Sequence, residues 1–282
     1  MKKLSILFLL VVFCLGVGRT WYWATDGFRL SRIEGFEEIG KERAFSEEAE
    51  VALSQRFFYL ARGRQCFAFV SEDGKYVLKF PRLDRYKDRI LFCAFPSSSD
   101  QKRQSNLSRK ERLFDSFEIA CDQLQEDTAI LAMYNAPKTG KEVEIVDRLG
   151  RKVRLPLEKT GFILQRKLPL FKDVFQEAFA NHDLKEINRI LDRLLAVVVR
   201  VADRGIVSKD GSFLKNFAFD EKQAYQIDVG SYYRMDHLPS NEVFAISIHS
   251  NVETLRAWLR HKDPAFLALI DEKLDQIYAG VK

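Results

Sequence analysis

Cysteine is scarce in this 282-residue chain, and the four present, at positions 14, 66, 93 and 121, form no C-x-x-C pair and no Cys/His cluster. That spacing points to neither a disulfide framework nor a zinc site. Cys14 lies in the N-terminal apolar stretch, and the other three read as small buried hydrophobes. Charge of one sign is also lacking. The excess is only +5, spread along the chain, which argues against a dedicated nucleic-acid binder. A long hydrophobic run is missing too. The apolar stretch Leu4 to Gly18 holds fifteen uncharged residues, reaching about 22 Å as a helix against the ~30 Å of a hydrocarbon core.

The chain does have enough apolar residues, 46% against 30% charged, to bury a full core in one or two domains. Its N-terminus, Met1-Lys2-Lys3 before the apolar stretch and Arg19 after it, has the layout of a signal-peptide n- and h-region. Gly16 and Gly18 are acceptable before a cut near Arg19. The other reading is an uncleaved anchor with Trp21, Tyr22 and Trp23 at the membrane interface. Either way residues 1–18 predict export or membrane attachment, with a periplasmic or secreted domain favoured over a cytoplasmic one. Residues 19–45 read as a connector. Ser46 then caps a helix through Arg56, with Glu47 and Glu48 in its first turn.

Phe57 to Phe69, the turn Ser71-Glu72-Asp73-Gly74 and Tyr76 to Phe80 read as an antiparallel hairpin. Pro81 to Asn106 reads as an inserted surface loop. A helix is expected over 107–125 from Leu113, Phe117, Ala120 and Leu124 at helical spacing. Thr128–Tyr134 reads as a strand, Glu142–Leu155 as a hairpin turning at Leu149-Gly150, and Gly161–Gln165 as a buried strand. A helix at 170–180 precedes a strongly amphipathic one from Asp183 to Arg204, with Ile187, Ile190, Leu191, Leu194, Leu195, Val198 and Val201 on its apolar face. Ser240 caps a helix from Asn241, followed by helices at 250–262 and 264–279.

The most informative stretch is Gly205-Ile206-Val207-Ser208-Lys209-Asp210, followed by Asn216 and by Asp228-Val229-Gly230. Two carboxylates and an amide here are oxygen-bearing side chains in one short stretch. Asp210-Gly211 and Asp220-Glu221 are also ordinary turn signals of a β-hairpin. The stretch resembles the catalytic segment of protein kinases, with Ser208 in place of the family's His, Lys209 in place of Arg, Val229 in place of Phe, and one extra residue before Asn216. The order of the other elements extends the resemblance over residues 55–235. Leu60 to Ala68 is similar to the glycine-rich phosphate loop, although only Gly63 of its three glycines remains, and Tyr76-Val77-Leu78-Lys79 is similar to V-A-I-K.

The resemblance implies an α+β, bilobal protein-kinase-like fold. Residues 46–168 would form an N-lobe of a small antiparallel sheet plus helix, and residues 169–282 a mainly helical C-lobe. It implies Asp210 as catalytic base, Lys79 on the ATP phosphates, and Glu118 as the partner of Lys79, with Glu111 the other candidate. It implies Asn216 and Asp228 as Mg²⁺ ligands. Gly63 and Gln65 would lie over the nucleotide, and Gln165 and Lys167 at the adenine hinge. No A-P-E motif follows Gly230, and the 52 remaining residues leave little peptide-docking platform. The expected activity is therefore an atypical ATP/Mg²⁺-dependent phosphotransferase whose acceptor is not a standard protein-kinase substrate. The other reading is a pseudokinase that binds a protein partner. Export conflicts with ATP use unless the domain faces cytoplasm, is delivered into a host cell, or does not use ATP.

Overall fold

The computed structural model describes residues 2–35, 44–86, 96–134, 140–210, 212–235, 238, 240–260 and 265–280. Part of the expected connector (36–43), part of the expected insertion (87–95, with Cys93) and Gly211 lie outside the described residues. The chain is α+β and divides into two compact units. One comprises residues 1–106 and 131–164, the other residues 107–130 and 165–282.

The first unit begins with helix α1 (Lys2–Ala24), which ends in a tight reversal. Asp26 N–H donates to Trp23 O (3.3 Å) and Gly27 N–H to Tyr22 O (2.8 Å), the paired bonds of a Schellman cap. Asp26 and Gly27 both have positive φ, 49° and 71°. At Gly27 a Cβ would lie 2.6 Å from the Tyr22 ring, so glycine is required there. The chain then enters the core. Phe28 and Ile33 are buried, and Phe28 packs edge-on against Phe67 and Phe69 at 5.2 Å each. The expected featureless connector is thus in part a core segment.

Helix α2 (Glu47–Leu53) starts where Ser46 predicts, with Ala49 N–H donating to Ser46 Oγ at 3.2 Å. Strands β1 (Arg56–Arg62), β2 (Cys66–Ser71) and β3 (Tyr76–Pro81) follow, so the stretch expected to run unbroken from Phe57 to Phe69 is two strands parted at 63–65. With β4 (Ile130–Tyr134), β5 (Glu142–Val146), β6 (Lys152–Pro156) and β7 (Phe162–Arg166) they form a seven-stranded sheet ordered β4-β7-β3-β2-β1-β5-β6. β1 and β5 run parallel, Phe57 opposite Ile145. The sheet is therefore mixed, correcting the antiparallel expectation: β5 returns to β1 after a crossover long enough to permit parallel pairing. Phe57, Phe67, Phe69, Phe80, Phe162 and Leu164 sit in one buried cluster on this sheet.

The second unit is mainly helical. Helix α3 (Pro96–Gln123), which belongs to this unit from Leu107 on, begins eleven residues before the expected start, inside the expected loop, and its proline occupies a helix start, where the missing N–H costs nothing. Short α4 (Gln125–Thr128) leads to Ala129 in the left-handed region. α5 (Phe171–Ala180) and α6 (Leu184–Asp203) lie where expected, and Asp183 caps α6 through Glu186 N–H (3.0 Å). All seven residues named for the α6 face are buried. At about 1.5–3 kcal/mol for each such side chain, this face is a large part of the unit's core. The helices expected at 241 and 250 are one, α8 (Ser240–Arg260), followed by α9 (Ala265–Gly280).

Candidate active site

The catalytic-like stretch occupies the second unit. After α6, strand β8 (Ile206–Ser208) carries the chain to Asp210, and a short helix α7 (Phe213–Asn216) ends at Asn216. Strands β9 (Phe217–Phe219) and β10 (Ala224–Gln226) then make a hairpin, with Phe217 opposite Gln226. Its turn is fixed by Asp220, whose carboxylate accepts from Lys222 N–H (2.7 Å), Gln223 N–H (2.8 Å) and the Tyr225 hydroxyl (2.7 Å). Burial alone would raise this carboxyl, but those bonds outweigh it and hold Asp220 below its usual range.

The hairpin extends one step beyond its strands: Ile227 N–H donates to Asn216 O at 2.8 Å. Asp228, the next residue, is therefore a neighbour of Asn216. The Asn216 amide NH₂ donates to Asp210 O at 2.7 Å and to Asp210 Oδ1 at 3.2 Å. Asn216 thus bonds Asp210 directly and lies beside the backbone of the segment that carries Asp228. Asn216 is buried, Asp228 half-buried and Asp210 exposed.

Two serines hold the Asp210 end. Ser208 Oγ and Ser231 Oγ share a hydrogen bond at 2.8 Å, Ser208 Oγ donates to Asp210 O at 3.3 Å, and Asp210 N–H donates to Ser231 Oγ at 3.2 Å. Strand β11 (Tyr232–Arg234) pairs antiparallel with β8, Tyr232 opposite Ser208. On the other side Ser116 of α3 is fully buried. Its hydroxyl donates to Val229 O and accepts from Tyr232 N–H, both at 2.6 Å. Burial, and then the negative charges of Asp228 and Asp127, push the Tyr232 phenol well above its ordinary value. Asp127, also buried, pairs with Arg200 Nε of α6 (2.8 Å) and with Arg204, the residue that caps its end.

The donor set fits a Mg²⁺ ion. Asn216 spends its NH₂ on Asp210, which turns its carbonyl Oδ1 away as an acceptor. Among the described residues, the Asp228 carboxylate takes part in no hydrogen bond or ion pair. No three His, Cys, Asp or Glu side chains cluster for a metal among the described residues.

The remaining sequence candidates sit as follows. Gly63 is exposed between β1 and β2, with its N–H on Cys66 O at 2.8 Å. Arg82 and Arg85, just past β3, bind that loop: Arg82 Nη1 donates to Gly63 O (3.2 Å), Arg82 N–H to Gln65 O (2.7 Å) and Arg85 to Arg64 O. Burial lowers the Arg82 guanidinium's pKa, though the charge of Asp84 opposes the shift. Lys79 lies in β3 opposite Ala68 and is half-buried. On α3, Glu118 is half-buried and Glu111 exposed. Gln165 is buried, its side-chain NH₂ donating to Thr128 O at 2.8 Å, and Lys167 is exposed. At the expected hinge, Arg166 N–H is taken by Ala129 O (3.0 Å).

Ser116, Ser231, Arg82, Arg85 and the Asp127 pair carry no sequence signal, because their bonds join segments far apart in the chain that no local pattern marks.

No family model matches the chain, and no curated protein matches it. Among solved structures, the chain is similar to a structure of the bifunctional kinase-methyltransferase WbdD at a TM-score of 0.36 and 21% identity, covering 66% of this chain and 34% of that one. A co-crystal structure of WbdD with a kinase inhibitor gives 0.37 and 20%, covering 68% and 37%. A structure of monomeric WbdD gives 0.37 and 16%, covering 78% and 49%. The chain thus spans between a third and a half of the length of these solved chains, and at such TM-scores and identities the likeness carries no argument about fold or activity.

Proposed function

We propose that this protein is a kinase-like phosphotransferase using ATP and Mg²⁺, with a small-molecule or other acceptor in place of a standard protein-kinase substrate. The observation that carries this reading is that Asn216 bonds Asp210 through its amide and, through the Ile227–Asn216 backbone bond, lies beside the segment that carries Asp228. Asn216 Oδ1 and the Asp228 carboxylate would hold Mg²⁺, which neutralises phosphate charge when bound. Asp210, exposed and oriented by Ser231 and Asn216, accepts the acceptor hydroxyl's proton. The acceptor oxygen forms its bond to the γ-phosphorus, the bond from that phosphorus to the bridging oxygen breaks, and ADP leaves. Lys79 on the phosphates, Glu118 as its partner, Gly63 and Gln65 over the nucleotide, and Gln165 and Lys167 beside adenine follow from the resemblance to kinases.

A general base contributes about 10²–10⁴-fold. Asp210→Asn should therefore lower Mg²⁺-dependent release of ADP from ATP by at least about 100-fold while nucleotide binding persists; full turnover in this variant would overturn the assignment of the base. A second reading, a pseudokinase binding module, is favoured by the phosphate loop, where Ala61 and Cys66 replace glycines and arginine side chains occupy the loop carbonyls. Residues 1–18 support attachment to a membrane or export in either reading.

A further inference from the structure

The end of α1 forms a dense aromatic and cationic belt. Its root is locked to the first unit. Arg62 stacks on the Tyr22 ring at 5.1 Å, bonds the Tyr22 hydroxyl, donates to Asp26 O (3.1 Å) and pairs with the Asp26 carboxylate (3.4 Å). Tyr59 donates to the same carboxylate at 2.7 Å. Together with the Schellman cap and buried Phe28, these bonds make α1 a continuation of the folded unit.

Beyond this root the described side chains of the helix have no cover. Every residue from Val12 to Ala24 is exposed, Phe13 and Leu15 by 68% and 69% and Trp23 by 65%. From Val12 to Gly18 there is no charge on any face. A docking partner helix would require a stripe, whereas a surface apolar all round is stable only where the whole helix leaves water. Around its base stand arginines. Arg19 lies over the Trp23 ring (5.7 Å), Arg151 over Trp21 (5.2 Å), and Arg148 donates to Trp23 O (3.3 Å). All three are exposed. Indole rings beside guanidinium groups at the foot of an apolar rod match the layers of a lipid interface, where amphipathic rings sit at headgroup depth and cations meet anionic headgroups. No helix is long and apolar enough to cross a membrane among the described residues.

We propose that α1 embeds in a bilayer and that Trp21 and Trp23, with Arg19 and Arg148, seat the first unit directly on an anionic lipid surface. This deepens the attachment reading above. The lipid is named by its chemistry, acyl chains under negatively charged headgroups.

The test uses the full-length chain carrying Trp258→Phe, synthesised in the presence of vesicles, so that emission comes from Trp21 and Trp23. Vesicles of phosphatidylcholine alone are compared with vesicles containing one quarter phosphatidylglycerol, by flotation and by quenching with lipids brominated near or far from the headgroup. Flotation should be stronger with phosphatidylglycerol, and quenching greater from the shallow bromines. Arg19→Gln with Arg148→Gln should reduce binding to the anionic vesicles by about thirty-fold, at roughly five-fold per cation, and leave binding to neutral vesicles unchanged. Flotation without dependence on headgroup charge or on the two arginines would overturn the belt while leaving attachment standing. No flotation, or oligomers held together by α1 without lipid, would overturn both.

Discussion

Ser116→Ala is the sharpest structural perturbation available at the candidate site. The native hydroxyl is fully buried on α3 and uses both its donor and an acceptor site, on Val229 O and Tyr232 N–H. The partners flank Gly230-Ser231, so this one side chain holds the segment that follows Asp228. Removing the oxygen leaves a buried carbonyl and a buried N–H without their bond. Each such group costs about 1–3 kcal/mol, and partial relaxation brings the pair to about 2–3 kcal/mol. The cavity is a single oxygen, so packing loss is minor. For a unit of this size, the melting temperature should fall by about 5–10 °C. The assay is thermal unfolding of the full-length protein followed by Trp258, which packs against Phe175 and Phe179 in the same unit. Ser54→Ala, which removes an exposed hydroxyl bonded to Val51 O, is the control and should change stability by less than about 0.5 kcal/mol. A Ser116→Ala loss no larger than the control's would refute the reasoning, because the two buried bonds would then carry no net stability.

Two further outcomes follow from the same kind of accounting. Asp220 has a folded pKa held below the ordinary value of 3.8, so its contribution is complete above about pH 5 and is lost as pH falls through its depressed folded value. Asp220→Asn should flatten the acid limb of the stability curve below pH 4, measured by denaturant titration at successive pH values; an unchanged limb would contradict this assignment. Gly27→Ala forces a left-handed φ on a residue with a Cβ and drives that Cβ into the Tyr22 ring. The first unit should lose about 2 kcal/mol or more, read as earlier proteolysis near residue 27, and a fully stable variant would show that the cap relaxes freely.

Local patterns in the sequence carried much of the fold. The apolar face of α6, the Ser46 and Asp183 caps and the hairpin over 142–156 are all encoded within one or two turns of chain, where periodicity and capping chemistry act directly. The parallel pairing of β1 with β5 is not, because it joins segments almost ninety residues apart. The start of α3 was hidden because Pro96 to Asn106 is polar and serine-rich, with no apolar face to mark a helix. The polar residues near 249–251 give α8 the sequence pattern of two helices, yet its helix continues through them. At the candidate site, Asp210, Asn216 and Asp228 stand out in the sequence because two carboxylates and an amide recur at motif spacing, and their roles are a proposal. Ser116 and Ser231 were not: an isolated serine has no signature until the strand that it bonds is placed beside it.

The central claim is that Asn216 and Asp228 bind Mg²⁺ with a nucleotide. The most direct measurement is thermal unfolding of the full-length protein with ATP, with and without Mg²⁺, beside Asp228→Asn. At about 100 times its Kd a ligand stabilises by about 2.7 kcal/mol, several degrees for a protein of this size. The account predicts a Mg²⁺-dependent rise in the wild-type protein that disappears in the variant. No rise at millimolar nucleotide, or an equal rise in Asp228→Asn, would contradict it.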